Sequence, residues 1–158
     1  MKIYVMSKLY AVKTASGITI PHAIISINDP TVPGPVEFPP NEHRIALLPL
    51  KFFDIDASPE SSHLNPVARH HISKMYGYGF FNKEQAAEIV EFVKQYQDQI
   101  KALIVHCDAG ISRSSGVGAA IMKVTTGDDS PIFNSKMYQP NMHVYRKTLN
   151  AFHDAGMI

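Results

Sequence analysis

Cysteine occurs once and tryptophan not at all among the 158 residues. A lone thiol excludes an internal disulfide framework, and without a second one a Cys-x-x-Cys redox pair or zinc site cannot be built. Charge of one sign is equally scarce: 15 basic against 14 acidic side chains leave a formal net charge of +1. That balance excludes a strongly basic nucleic-acid binder and an acidic tail, while a local basic pocket remains compatible with it. Long apolar runs are missing too. Ile45–Leu50 and Gly116–Met122 fall far short of the roughly 20 residues that a membrane span requires. Ile3–Met6 is broken at Ser7-Lys8 and is too short for a secretory segment. No repeat, low-complexity tract or linker divides the chain. The expectation is a soluble, cytoplasmic, monomeric domain over residues 1–158, with neither a membrane nor a nucleic acid as partner.

What is present is an ordinary globular composition, 45% hydrophobic and 18% charged, which excludes a disordered chain. Lys2–Met6, Ala23–Ile27, Ile45–Phe52 and Ala102–His106 read as strands, their Ile, Val and Leu unalternated as in a sheet covered on both faces. Residues 83–100 carry a helical stripe of Ala86, Ile89, Val90, Val93, Tyr96 and Ile100, with Asn82 and Gln85 spaced as a capping box. Further helices are expected over Arg113–Thr126, stopped by Gly127, from Ser130-Pro131, and from Asn141 with Tyr145, Leu149 and Phe152 on one side. Strands alternating with helices predict an α/β fold, a three-layer sandwich around a mainly parallel sheet of four or five strands. Asp29–Pro40, with five of the 11 prolines, and the insert Ala57–Phe81 read as irregular. Segments of that length in a compact domain are usually functional or mobile.

The informative stretch is Val105-His106-Cys107-Asp108-Ala109-Gly110-Ile111-Ser112-Arg113-Ser114. A strand ending at His106 and a tight glycine loop opening a helix at Arg113 aim backbone N–H groups at one point, where the helix dipole adds positive potential. That point is an oxyanion site. It begins with the only cysteine, whose thiolate the same dipoles stabilise. It ends with Arg113, whose planar fork fits two oxygens of a phosphate. A nucleophile, an anion cradle and a bidentate clamp together point to attack on a bound tetrahedral oxyanion.

His-Cys-x5-Arg-Ser resembles the signature loop of the cysteine-dependent protein tyrosine and dual-specificity phosphatases. The chain as a whole looks like their compact dual-specificity branch, microbial predicted tyrosine phosphatases included. The resemblance extends to Ile24–Asn28, Leu50–Asp56, the helix before the loop and Pro140-Asn141. Without tryptophan there is no Trp-Pro-Asp loop, so the larger tyrosine-specific branch fits poorly. The resemblance implies a dual-specificity-phosphatase-like sandwich and a phosphomonoesterase acting through a phosphocysteine on a phosphorylated protein or a small phosphomonoester. It implies that Cys107 attacks phosphorus and that Arg113 holds the equatorial oxygens. The amides of Asp108, Ala109, Gly110, Ile111, Ser112 and Arg113 would complete the cradle. Ser114 would donate to the departing thiolate, and His106 would orient the loop. Ser114 also reads as an ordinary first-turn helix residue, and His106 as a buried structural histidine.

The resemblance further implies a general acid just past the third strand, where Asp54 is favoured as the first carboxylate and Asp56 stands two residues on. In an extended segment the two point the same way, and the one not used as acid reads as a turn or cap residue. His63, His70 and His71, three of eight histidines, lack a neighbouring Cys or carboxylate pair, so neither a metal nor a cofactor is expected. Tyr76, Tyr78, Phe80 and Phe81 read as packing for the insert. Competing readings are a phosphatase of a nucleotide, RNA 5′ end or phosphoinositide, a phosphate-binding pseudoenzyme, and a sulfurtransferase. The acidic Asp108 argues against highly charged substrates.

Overall fold

Strands β1 (Lys2–Ser7), β2 (His22–Asn28), β3 (Arg44–Lys51) and β4 (Ala102–Cys107) form one sheet in the order β1-β4-β2-β3. Every pairing is parallel. The structure, a computed structural model, describes residues 1–56 and 79–158. Most of the expected insert lies outside the described residues, along with His63, His70, His71, Tyr76 and Tyr78. The helices among the described residues are α1 (Lys8–Gly17), α2 (Lys83–Tyr96), α3 (Arg113–Thr126), α4 (Ser130–Phe133) and α5 (Met142–Asp154). None of them is long and apolar enough to cross a membrane.

The sheet separates two packed layers. On one face Ala11 and Ala15 of α1 meet Ile24 and Ile104. On the other, Ile25, Leu103 and Val105 pack in one cluster with Ile89 and Val93 of α2, Val117 and Ile121 of α3, and Val144 and Phe152 of α5. Every residue of the central strands β2 and β4 is buried, as unalternated apolar runs between two covered faces require. The expected three-layer α/β architecture is therefore present, with four parallel strands.

Several local expectations need correcting. Helix α1 was not expected. Its start is capped by Ser7, whose hydroxyl accepts from the Tyr10 amide at 3.3 Å, but its inward face is only two alanines. Leu9 is 77% exposed and Tyr10 63%, so the bulky apolar residues point away from the sheet and hide the helical period. At the sheet's edge, β3 alternates in burial with Ile45 and Leu47 partly exposed, where continuous cover was expected. The capping box on α2 is present, with Gln85 N–H on Asn82 Oδ1 at 2.8 Å and Asn82 N–H on Gln85 Oε1 at 3.2 Å. That helix ends at Tyr96, and Ile100 is buried from the turn beyond it. The buried face of α5 is Val144, Thr148 and Phe152, which keeps Phe152 of the expected stripe and replaces Tyr145 and Leu149 by the residues before them.

Burial lowers the pKa of His22, His106 and His143 below the ordinary 6.5. Released on unfolding, each ring would bind a proton at a higher pH than it does in the folded chain. Below about pH 6.5 the unfolded state therefore takes up more protons, and stability falls as the pH falls. Urea midpoints should accordingly drop between pH 7.5 and pH 5.5 with an unchanged m-value. A midpoint independent of pH across this window would show that the rings titrate alike in both states.

Candidate active site

Strand β4 runs up the middle of the sheet and delivers Cys107 at its carboxyl end, beside Ser7 of β1 in register. Ligands of open α/β sheets bind beyond this end. The loop from Asp108 to Ser112 then turns back into α3. The turn depends on Gly110, at φ +73°, whose missing Cβ would fall on the backbone of Met6 and Ser7. Any side chain there would have to displace the β1–α1 junction. A second close approach, at Gly116, lets α3 touch the backbone of Asn141, since an added Cβ would lie 2.8 Å from its carbonyl oxygen.

Cys107 is buried and free. Its Sγ lies 3.1 Å from Ser114 Oγ and accepts from the Gly110 amide at 3.3 Å. Ser114, expected beside the sulfur, thus contacts it from the first turn of α3, and the Gly110 amide, expected in the cradle, contacts it from the loop. His106 does not touch the sulfur. Its Nδ1 lies 3.0 Å from Cys107 O and its Nε2 2.7 Å from Ser26 Oγ. A carbonyl can only accept, so Nδ1 carries the hydrogen in the neutral ring and Nε2 accepts from the serine. Desolvation, which lowers this histidine's pKa, favours that neutral form. His106 therefore fixes the carbonyl at the mouth of the loop, and its orienting and structural readings coincide.

Arg113 is a buried, paired charge. Its side chain is 7% exposed, and Nη1 donates to Asp29 Oδ1 at 2.6 Å and to Phe52 O at 3.0 Å. Its Nε is buried and has no hydrogen-bond partner among the described residues. A buried guanidinium N–H without a partner is costly, and here it belongs to the residue at which the loop after β4 enters α3. Asp29, just past the end of β2, was not foreseen as a site residue. Its partner is distant in sequence, and the available signal was only a carboxylate at the end of a fully buried strand.

The two candidate acids separate. Asp54 lines a cavity of about 350 Å³ together with Cys107, Asp108, Ala109, Ile111, Ser112, Arg113 and Gln139. Its Oδ1 accepts from Ser112 Oγ at 2.7 Å and from Asn141 Nδ2 at 2.9 Å. Asp56 instead accepts from the amides of Met142 and His143 at 3.3 and 3.2 Å, neutralising the free N–H groups that open α5. The segment is not extended as expected. Ile55 N–H bonds back to Phe53 O at 2.9 Å, a tight turn at Asp54 that sends the two carboxylates to different partners. The strand end below is wedged by Phe52 against Phe81, ring centroids 4.7 Å apart. Among the described residues no cluster of three or more metal-ligating side chains occurs.

No family model matches the chain, and no curated protein matches it. Among solved structures it is similar to DUSP15, at 18% identity over 98% of this chain and 85% of that one, with a TM-score of 0.55. It is also similar to PTPMT1 in complex with PI(5)P, at 12% identity over 98% and 92%, with a TM-score of 0.54. The Yvh1 phosphatase domain from Chaetomium thermophilum is a third, at 16% identity over 98% and 91%, with a TM-score of 0.52. Identity this low carries the likeness of backbone and no more. The chain has the fold of the dual-specificity phosphatases.

Proposed function

We propose that the protein is a phosphomonoester hydrolase that works through a phosphocysteine. The observation that carries this reading is the buried Nε of Arg113, without a hydrogen-bond partner among the described residues, on a residue that lines one cavity with Cys107 and Asp54. An anion with tetrahedral oxygens satisfies that N–H and takes up the loop's convergent amides. In the first step Cys107 Sγ forms a bond to phosphorus as the ester oxygen departs, and Asp54 gives that oxygen its proton. In the second, Asp54 takes a proton from water as the water oxygen attacks phosphorus. The S–P bond then breaks, with Ser114 Oγ, 3.1 Å from the sulfur, donating to the thiolate that leaves. Arg113 stabilises the equatorial oxygens in both steps.

Among phosphomonoesters, a phosphorylated protein side chain is the substrate class we infer. Asp108 stands exposed at the cavity mouth and repels carriers with further phosphates. The likeness to PTPMT1, solved with PI(5)P, supports a phosphoinositide as the second reading. A panel of phosphopeptides, nucleotides and phosphoinositides separates the two.

The general acid is tested by leaving-group dependence, because a good leaving group departs without a proton. Asp54→Asn should lower kcat/KM for phenyl phosphate on the order of a hundredfold, while p-nitrophenyl phosphate suffers far less. Asp56→Asn should affect both esters alike and lower thermal stability through α5. A leaving-group-dependent defect confined to Asp56→Asn would reverse these roles. A wild-type protein that turns over neither ester would overturn the hydrolase reading itself.

A further inference from the structure

We propose that Ser112 and Asn141 are positioning residues that confine the reactive proton of Asp54 to its Oδ2 atom. The inference rests on the reading of Asp54 as the acid. Oδ1 of this carboxyl already accepts two hydrogen bonds, from Ser112 Oγ at 2.7 Å and Asn141 Nδ2 at 2.9 Å. An oxygen facing two donors has no room for a third hydrogen, so the acid form is protonated on the other oxygen. Oδ2 has no partner among the described residues and is the oxygen left for the cavity that Asp54 shares with Cys107.

The orientation of Asn141 decides this argument, since a flipped amide would accept where it now donates. A flip is disfavoured by the contacts at both ends of the side-chain amide, while the backbone N–H holds the residue in place. Asn141 is 2% exposed. Its Oδ1 accepts from Val144 N–H at 3.1 Å, capping α5, and its own N–H donates to Ser112 O at 3.0 Å. Turning the amide would remove the cap and set oxygen against Asp54 Oδ1. The same residue therefore ties three parts together: the loop through Ser112 O, the acid through Nδ2, and α5 through Oδ1. Asp54 is also held from below, where the Arg113 guanidinium grips Phe52 O at 3.0 Å. The carboxyl is thus set at the cavity before any substrate arrives, in the sense of a preorganised donor.

The readout is the ratio of kcat/KM for p-nitrophenyl phosphate to that for phenyl phosphate, which rises when proton donation fails. Ser112→Ala and Asn141→Ser should each raise the ratio about tenfold, a fraction of what a general acid supplies. Serine at 141 keeps an N-cap side chain but is too short to reach Asp54, so folding is preserved while the donor is lost. Ser112→Thr should restore the wild-type ratio. In an Asp54→Asn background neither substitution should move the ratio further, the non-additivity expected of residues acting through one group. Wild-type ratios in both single variants, with a raised ratio in Asp54→Asn, would overturn the positioning roles and leave the acid in place. An unchanged ratio in Asp54→Asn would overturn the acid and the proposal with it. Equal increases with and without Asp54 would place the two residues' effect elsewhere and overturn the proposal.

Discussion

Cys107→Ser is expected to lose phosphomonoester hydrolysis to background, a drop on the order of 10⁴-fold or more when a covalent route is removed. The same variant should still bind vanadate or tungstate. The distinction comes from what the substitution touches. The sulfur accepts from Gly110 N–H and sits beside Ser114 Oγ, whereas the path of the loop is set by Gly110 against the β1–α1 junction. Serine leaves that path and the Arg113 guanidinium in place, so the anion site survives without its nucleophile. Isothermal titration with the oxyanion, alongside a turnover assay, reads both halves. Retained turnover would remove Cys107 from the mechanism, and lost binding would mean that the thiol itself shapes the cradle.

Arg113→Lys is expected to lower kcat on the order of a hundredfold or more, the scale of losing an oxyanion donor. Lysine keeps the charge and replaces a rigid fork by a point donor. The wild-type side chain divides its work: Nη1 is committed to Asp29 Oδ1 and Phe52 O, which leaves the Nε edge for the anion. One ammonium cannot reach both sets of partners. Comparable turnover in the lysine variant would make Arg113 a structural helix residue whose task is only to pair with Asp29.

The fold was legible where hydrophobic pattern and burial coincide. Ala23–Ile27 and Ala102–His106 were legible as strands because both of their faces are covered, and α2 announced itself by Asn82 and Gln85. Helix α1 was hidden for the opposite reason. Its contact with the sheet is Ala11 and Ala15 while Leu9 and Tyr10 face outward, so its apolar pattern points the wrong way. For the candidate site, the loop from His106 to Ser114 was legible because its contacts are local, with Cys107, Gly110 and Ser114 within one strand–loop–helix unit. Asp29 and Asn141 were not, because their roles arise only when the ends of β2, β3 and α5 converge. The choice between Asp54 and Asp56 lay between these cases. Alternation put them on one side of an extended chain, and the Phe53–Ile55 turn separates them.

The ion pair between Arg113 and Asp29 has a kinetic corollary. The guanidinium is never bare: a carboxylate already shares its charge at 2.6 Å. On the proposed reaction, inorganic phosphate, the last species to leave, would depart from a cation that keeps a companion. On that reaction a resident counter-ion would weaken the hold of the guanidinium on the phosphate product. The site would thereby be biased towards quick product release, since binding that is equal for every state of the reaction does not speed it. Asp29 would serve turnover by preventing the arginine from holding phosphate too well.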